Sequence, residues 1–322
     1  MSVPEQPPEQ PPEQPLEQAL ADYLRLRRSL GHELAEAGCL LPRFVAYLGV
    51  RGSGTVTIEA ALAWAQQPDT SPGTSVGPRR MTAVRGFARY MAGIDPDTEV
   101  PPQGLMPHRQ RWRPPFIYSP ADIDTVIGQA RQSIVSPLRA ATYATLIGLL
   151  TASGMRIGEA IKLDRGDVDW AQGVLLIRES KFGKSRLVPL AASSMTALQD
   201  YSRLRDELGP RPEGPSFFLS LAGKRLVYAV VSQTFRQLIG NADVGAAAPW
   251  PPRLHDLRHT FAVATLLGWY RAGEAVAAKI PALSTYLGHR EPSSTYWYLS
   301  AAPELLALAA ARQDTAWSAA RS

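Results

Sequence analysis

Hydrophobic residues recur at helical spacing through most of the N-terminal quarter of the chain. A first helix is predicted from Leu16 to about Leu26, a second from Leu40 to Gly49, a third from Ile58 to Gln66 and a fourth from Arg79 to Met91. In each, apolar positions fall three or four residues apart, which places them on one face of a helix. Residues 16–94 are therefore predicted to form a small helical domain.

Two segments lack this pattern. Residues 1–15 repeat Pro-Pro-Glu-Gln almost without interruption and contain no aromatic or basic residue. Such a segment has nothing to bury, so it is predicted to be an extended, disordered leader. Residues 95–115 are dense in proline and end in a basic run that includes Arg111 and Arg113. They are predicted to be a linker between two domains.

From residue 116 the helical period returns, with Ser119 as the N-cap and Pro120 at the first helical position of the next helix. The apolar run from Pro137 to Thr151 predicts a further helix, which should be buried. Between Val174 and Leu190 the pattern predicts two strands around a turn at Gly183. Helical spacing then resumes over 191–208 and 226–242, and a short tail helix is predicted over 303–312. The expected fold class is mainly α with a small β-hairpin, in two domains, the second of which covers residues 116–322.

Composition and charge narrow the function classes only slightly. The chain is 45% hydrophobic and 20% charged, as is typical of a globular protein, and its net charge of +5 favours a polyanionic partner. The single cysteine, Cys39, excludes an intramolecular disulfide and a cysteine-rich zinc site, and its apolar neighbours predict that it is buried. Neither a signal-peptide pattern nor an apolar run of bilayer length is present, so no membrane contact and a cytoplasmic location are expected.

The candidate chemistry is densest between Leu254 and His259. On a helix, His255 and Arg258 lie three residues apart and project from the same face. An imidazole beside a guanidinium is a ready pair of donors for a phosphate oxygen. His255 and His259 also have a spacing seen in zinc sites, but the sequence is not His-Glu-x-x-His and no cysteine cluster supports a metal. Neither a metal site nor a cofactor is expected.

Four further motifs frame this helix in the chain. They are Gly154-Met155-Arg156-Ile157-Gly158-Glu159, the basic hairpin Lys181–Pro189, Leu287-Gly288-His289, and Tyr298, which lies nine residues after that histidine. In this order and spacing, the five motifs resemble the catalytic domain of the tyrosine recombinases, the phage integrase family, over about residues 116–312. The resemblance implies a helical, SAM-like core-binding domain over 16–94 and a catalytic domain over 116–322.

The resemblance also implies an activity and a role for each residue. The activity is site-specific cleavage and rejoining of duplex DNA through a 3′-phosphotyrosyl intermediate, without metal, for integration or transposition of a mobile element. Tyr298 would be the nucleophile and Lys181 the acid that protonates the departing 5′ oxygen. The phosphate would be held by Arg156, Arg258 and His289, with His255 as proton acceptor or further phosphate donor and Glu159 as a supporting residue.

Rivals for two of these roles come from neighbouring residues. Lys184 and Arg186 compete with Lys181, and Tyr296 competes with Tyr298, but the family's spacing selects Lys181 and Tyr298. Tyr296 is predicted to pack against its own helix instead.

DNA contacts outside the catalytic motifs are predicted from the remaining basic residues. They are Arg79, Arg80, Arg85 and Arg89 in the fourth helix, Arg111 and Arg113 in the linker, and Lys184 and Arg186 in the hairpin. Each could instead belong to a solvated face.

The expected partner is double-stranded DNA, bound by a homotetramer on paired sites. The tail helix, with Leu305, Leu306 and Leu308, would dock on a neighbouring protomer or, alternatively, on its own domain. Two other functions are possible in principle: DNA relaxation of the type IB topoisomerase kind, and non-catalytic regulation by DNA binding.

Overall fold

The computed structural model describes residues 15–67, 75–106, 113–178 and 185–289, together with Thr295, Tyr296, Tyr298 and Leu305. The chain divides into two compact units, Met1–Trp112 and Arg113–Ser322. The division falls inside the segment 95–115 that the sequence predicts as a linker. The mainly helical fold class is confirmed, whereas the predicted leader and most of the tail lie outside the described residues.

Unit 1 contains four helices: α1 (Leu16–Ser29), α2 (Ala35–Val50), α3 (Ile58–Ala65) and α4 (Val76–Met91). Their buried faces enclose one core in which Tyr23, Phe44, Trp64 and Phe87 supply the large side chains. The Thr57 hydroxyl accepts a hydrogen bond from the Ala60 amide (3.1 Å) and so fixes where α3 begins.

The prediction that Cys39 is buried was wrong. Helix α2 begins at Ala35, five residues before the predicted start, and Cys39 falls on its exposed side. The apolar neighbours suggested burial, but Leu41 is fully buried while Cys39 faces solvent. A helix separates adjacent residues by about 100°, so neighbours in sequence do not share an environment.

Unit 2 contains seven α-helices and a small sheet among its described residues. In chain order these are α5 (Pro120–Ser133), α6 (Pro137–Ser153), α7 (Ile157–Lys162), a 3₁₀ turn (Arg165–Asp167), β1 (Val168–Asp169), β2 (Val174–Ile177), β3 (Arg186–Pro189), α8 (Ala192–Leu208), α9 (Tyr228–Asn241), α10 (Leu254–Arg271) and α11 (Val276–Leu287). The sheet is antiparallel, in the order β1-β2-β3, with Val168 opposite Leu175 and Ile177 opposite Arg186.

Helix α6 is the centre of unit 2. It is apolar on nearly every side, as its sequence predicts, and packs against α5, α8 and α10. Ser136 caps its start through the Arg139 amide, and Gly154 ends it in the left-handed conformation with φ of 59°. The helix therefore stops abruptly beside α10, where the candidate chemistry lies.

A second cluster of buried side chains lies between α10 and α11. It includes Val263, Leu266 and Leu283, and it also contains Tyr298 and Leu305. Leu305, at 1% exposure, is therefore held by its own unit. Within the residues described here, no helix has the length and hydrophobicity needed to cross a bilayer.

Candidate active site

His255 and Arg258 lie in the first turn of α10, whose start is fixed by a capping contact. Asp256 is almost fully buried and its carboxylate accepts hydrogen bonds from the Arg253 amide (2.9 Å) and from the Arg253 guanidinium (2.8 Å). These contacts cap the start of the helix. Arg258 consequently points into the protein, with 2% exposure, while His255 stays exposed at the surface of the same turn.

The Arg258 guanidinium is anchored by the ends of two helices. It donates to the Gly154 carbonyl at the end of α6 (2.8 Å) and to the Leu287 carbonyl at the end of α11 (2.6 Å). Carbonyls at helix C-termini carry partial negative charge, so they suit a buried cation. Burial, and then the charge of Arg156, lower the Arg258 pKa to about 10, which leaves the group cationic at neutral pH.

Arg156 is held on two sides near the start of α7. Its guanidinium donates to the Gly288 carbonyl (2.8 Å) and to one carboxylate oxygen of Glu159 (2.8 Å). The other oxygen of Glu159 accepts from the Arg156 amide (2.9 Å). Like Arg258, Arg156 therefore uses a carbonyl at the end of α11, yet its side chain remains 26% exposed and able to meet a ligand.

The structure places Arg186 inside the site, which the sequence did not predict. Its guanidinium donates to both carboxylate oxygens of Glu159 (3.1 and 2.8 Å) and to the Tyr286 carbonyl (2.8 Å). Burial alone would raise the pKa of Glu159, but hydrogen bonds from Arg186 and from the Arg156 amide more than offset this and hold that pKa below its usual value. Glu159 is therefore an anion shared by two arginines.

Tyr298, which follows α11 in the chain, lies in the same place. Its side chain is 2% exposed and forms a hydrogen bond with Arg258. Its ring lies 5.4 Å from that of His259 and 6.0 Å from that of His289, centroid to centroid. Burial raises the Tyr298 pKa, while the charge and the hydrogen bond of Arg258 act in the opposite direction.

Tyr296, the rival nucleophile, has a side chain that is 48% exposed. A helix turns about 200° over two residues, so Tyr296 and Tyr298 face nearly opposite ways. Only Tyr298 meets the arginines.

The histidines around Tyr298 are held neutral at physiological pH. Burial, and then the charge of Arg258, lower the His289 pKa to about 4. Burial and then His255 lower the His259 pKa to about 3. For His255 the pKa is lowered by loss of hydration and by the charge of Arg258, although the side chain stays exposed. Thr295, fully buried, orients His289 through a 2.7 Å contact between its hydroxyl and Nδ1.

The predicted site residues fall into three groups. Arg156, Glu159, His255, Arg258, His289 and Tyr298 converge. Lys181, Lys184 and Arg111 lie outside the described residues, and the remaining predicted DNA contacts form the third group. Among the residues that the structure describes in either unit, no group of three or more histidine, cysteine or acidic side chains is placed to hold a metal ion.

Most arginines predicted to contact DNA from α4 have partners within unit 1. Arg80 is 4% exposed, lies over the Trp64 ring (5.0 Å) and donates to the Trp64 carbonyl (3.2 Å). Arg85 donates to the carbonyls of Pro101 and Pro102 (2.8 and 2.9 Å). Arg80 is turned onto the Trp64 ring and carbonyl within unit 1, so its predicted role as a DNA contact does not fit its position.

The other predicted contacts keep more of their surface. Arg79 is exposed and forms an ion pair with Glu36, and Arg89 is exposed on α4. Arg113 lies over the Trp250 ring (5.3 Å) and donates to the Pro251 carbonyl (2.5 Å). Arg186 is turned inward onto Glu159, so its predicted role as a peripheral DNA contact does not fit its position.

The inward position of Arg186 has a weak signal in the sequence. Side chains two apart on a strand share a face, so Arg186 and Val188 point to the same side. Val188 is fully buried, while the apolar Leu187 between them is 59% exposed. The carbonyls of Gly154, Leu287 and Gly288 could not be found from side-chain patterns, because backbone groups carry no residue-specific signal.

The chain is similar in sequence to known proteins. A sequence model of the phage integrase family matches residues 122–304. The integrase/recombinase y4rB of Sinorhizobium fredii is 42% identical over 302 residues, which cover 92% of this chain and 96% of that protein. Tyrosine recombinase XerC of Herpetosiphon aurantiacus is 28% identical over 256 residues, 74% of this chain and 78% of that protein.

Among solved structures, the Tn1549 transposon integrase in complex with transposon right end DNA superimposes with a TM-score of 0.61. The match covers 92% of this chain and 98% of that chain at 17% identity. At this identity the likeness concerns the fold alone.

Proposed function

Since the chain belongs to the phage integrase family, we propose that it cleaves and rejoins duplex DNA through a covalent 3′-phosphotyrosyl intermediate on Tyr298, without a metal ion. As a member of this family it is an enzyme, a tyrosine-type site-specific DNA recombinase. One observation supports the residue assignment most directly. The phenol of Tyr298 is hydrogen-bonded to a buried arginine that two helix ends hold in place.

The arginines supply the positive charge that phosphoryl transfer needs. In such reactions positioning and electrostatic stabilisation provide most of the catalysis. Arg156 and Arg258 would each bind a non-bridging oxygen of the scissile phosphate. Because both guanidiniums are already fixed by the carbonyls of Gly154, Leu287 and Gly288, little reorganisation is required when charge develops on those oxygens.

Two proton transfers complete the proposed step. The Tyr298 oxygen attacks phosphorus as its proton passes to His255, the bond from phosphorus to the 5′ oxygen breaks, and Lys181 protonates that oxygen. The lowered pKa keeps His255 neutral at physiological pH, and a neutral imidazole has a nitrogen free to accept the proton. His289 would donate to a phosphate oxygen through Nε2, with Thr295 on its other nitrogen.

The substrate and assembly follow from the same chemistry. The Tn1549 integrase is described in complex with transposon DNA, and y4rB is named as an integrase/recombinase. By that likeness, this chain would bind duplex DNA and serve integration or transposition of a mobile element. Since exchange between two duplexes needs four nucleophiles and each protomer holds one Tyr298, the active assembly would be a tetramer on paired sites.

The nucleophile is tested by exchanging phenol for phenyl at each tyrosine. With a nicked DNA substrate, Tyr298→Phe should abolish the covalent adduct seen on a denaturing gel while DNA binding is kept. Tyr296→Phe, the matched control, should form the adduct normally because Tyr296 faces away from the arginines. Loss of the adduct in Tyr296→Phe, with its retention in Tyr298→Phe, would contradict the assignment.

A second assay separates recombination from relaxation. A recombinase should join two sites on separate duplexes, whereas a topoisomerase-like enzyme should relax supercoiled DNA that lacks such sites. Relaxation without strand exchange would favour the type IB topoisomerase alternative.

A further inference from the structure

Arg186 occupies a position that neither phosphate clamping nor leaving-group protonation explains. It lies at the first position of β3, opposite Ile177 in the sheet, and its side chain is 12% exposed. Lys181, five residues earlier in the chain, lies outside the described residues. An arginine there would be expected to face DNA, yet this one is directed at a buried carboxylate.

The contacts of Arg186 join three separate parts of unit 2. Two of its nitrogens hold Glu159 on α7, in the bidentate geometry that gives the strongest arginine–carboxylate pairs. Its Nε donates to the Tyr286 carbonyl on α11, one residue before Leu287. Arg186 therefore connects the strand after the hairpin to α7 and to the helix end whose carbonyls hold Arg156 and Arg258.

Glu159 is saturated only because two arginines share it. One oxygen accepts from Arg156 Nη1 and Arg186 Nη1, and the other accepts from the Arg156 amide and Arg186 Nη2. If Arg186 were removed, the buried carboxylate would lose two of these four donors. A buried anion left short of partners is costly, so it would draw the remaining arginine toward itself.

We propose that Arg186 is a positioning residue for DNA cleavage, which by saturating Glu159 keeps the guanidinium of Arg156 turned toward the scissile phosphate. This rests on the proposed function, because it assumes that Arg156 binds that phosphate. Arg186 itself touches neither phosphate nor nucleophile. Without it, Arg156 pairs with Glu159 through both nitrogens and leaves the Gly288 carbonyl.

The test compares three variants in single-turnover cleavage. Arg186→Gln removes the charge and the bidentate pair, and Arg186→Lys keeps only the charge, since an ammonium cannot reproduce the planar fork. Arg178→Gln is the matched control: Arg178 follows β2 on the same hairpin, is 57% exposed and pairs with Asp167, away from the site. We expect cleavage to slow by about 10–100-fold for both Arg186 variants, as for a small displacement of a catalytic group, and little for Arg178→Gln.

Modified substrates show which group Arg186 acts through. A methylphosphonate at the scissile position has a neutral methyl group in place of one anionic oxygen, so its cleavage depends less on the charge of Arg156. The loss of cleavage rate caused by Arg186→Gln should therefore be smaller on this substrate. A 5′-bridging sulfur needs no proton on leaving and should not rescue the variant. If the 5′-bridging sulfur rescued cleavage, Arg186 would act by placing Lys181 and the proposal would be overturned. An equal loss of rate on every substrate would also overturn it, because Arg186 would then only stabilise the fold.

A spectroscopic measurement keeps this proposal separable from the proposed function. In protein labelled with ¹⁵N at arginine, the guanidinium resonance of Arg156, assigned through Arg156→Lys, should move in Arg186→Gln and stay in place in Arg178→Gln. An unmoved resonance overturns the proposal. If wild-type protein formed no adduct with DNA, the proposed function would fail, while the resonance would still report on the link from Arg186 to Arg156.

Discussion

The side chains around Tyr298 combine arginine cations with neutral imidazoles. Burial is the main reason that the pKa values of His259 and His289 are lowered; the charge of Arg258 lowers both further, and that of Arg156 lowers the His289 pKa. The histidines can therefore serve as neutral donors and acceptors at pH 7. For Tyr298, by contrast, the charge of Arg258 stabilises the negative charge that develops on the phenol oxygen.

These depressed pKa values predict how stability depends on pH. An unfolded chain binds protons at histidine near pH 6.5, whereas folded His259 and His289 bind them only near pH 3 and 4. Between those values the unfolded state holds more protons, so the free energy of unfolding should fall as pH is lowered from 7 to 5.5, by about 1–3 kcal/mol.

Urea unfolding at both pH values measures this difference. His259→Asn should reduce the pH dependence, since asparagine does not titrate. A pH dependence that is the same in His259→Asn and in the wild type would show that His259 is not the titrating group.

At the scale of whole elements, the C-terminal ends of two helices hold the arginines of the site. The C-terminal carbonyls of α6 and α11 hold Arg258, and the end of α11 also holds Arg156. Both helices end on a glycine in the left-handed conformation, Gly154 and Gly288, with φ of 59° and 67°. A residue with a side chain rarely adopts such an angle, so these two glycines aim the carbonyls at the arginines.

Gly154→Ala tests this use of a helix end. An added Cβ would lie 2.4 Å from a ring carbon of Phe261 on α10, so the Phe261 ring or the end of α6 would have to shift. Gly273→Ala is the matched control, because Gly273 also has a positive φ (74°) but has nothing within 4 Å of the new Cβ. Both variants should lose about 1–2 kcal/mol from backbone strain, and Gly154→Ala more through the clash.

The difference between the two variants should be larger in catalysis than in stability. Adduct formation by Gly154→Ala should fall by at least about tenfold, because the Arg258 anchor moves with α6. Adduct formation by Gly273→Ala should stay near the wild-type rate. Equal rates for the two variants would mean that the Gly154 carbonyl does not control the position of Arg258.

The sequence predicts the elements better than their ends. Apolar spacing located all four helices of unit 1, the β2–β3 hairpin, α6 and α10. It missed α11, whose apolar face is interrupted by Lys279 and Pro281, and it began α2 at Leu40, five residues too late. The proline inside α11 hides the helical pattern there, because a proline in a single sequence indicates a break.

Within the site, motif spacing found six residues that the fold brings together. It misplaced Arg186 and Arg80, because an arginine's partner is set by tertiary contacts: Glu159 lies 27 residues from the first, and Trp64 lies 16 from the second. A formal charge in the sequence looks the same whether it faces solvent or a buried carboxylate.

At the scale of the whole molecule, the proposed exchange of two duplexes requires protomers to contact one another. The predicted tail helix offers such a contact, but its first leucine, Leu305, already packs within its own unit. Leu305 is buried in the cluster that also contains Leu266, Leu283 and Tyr298. Leu305 therefore docks on its own domain, whereas Leu306 and Leu308 lie outside the described residues.

The tail can therefore be tested by cutting it after Leu305. The shortened chain keeps the leucine that packs near Tyr298, so DNA binding at a single site and adduct formation should stay near wild type. Strand exchange between two sites should fall by at least about tenfold if residues 306–322 link protomers. Leu305→Ala is the complementary variant: it should destabilise unit 2 by about 2–4 kcal/mol and weaken adduct formation, because it opens a cavity beside Tyr298. Normal strand exchange by the shortened chain, measured on the same DNA, would show that protomers meet through another surface.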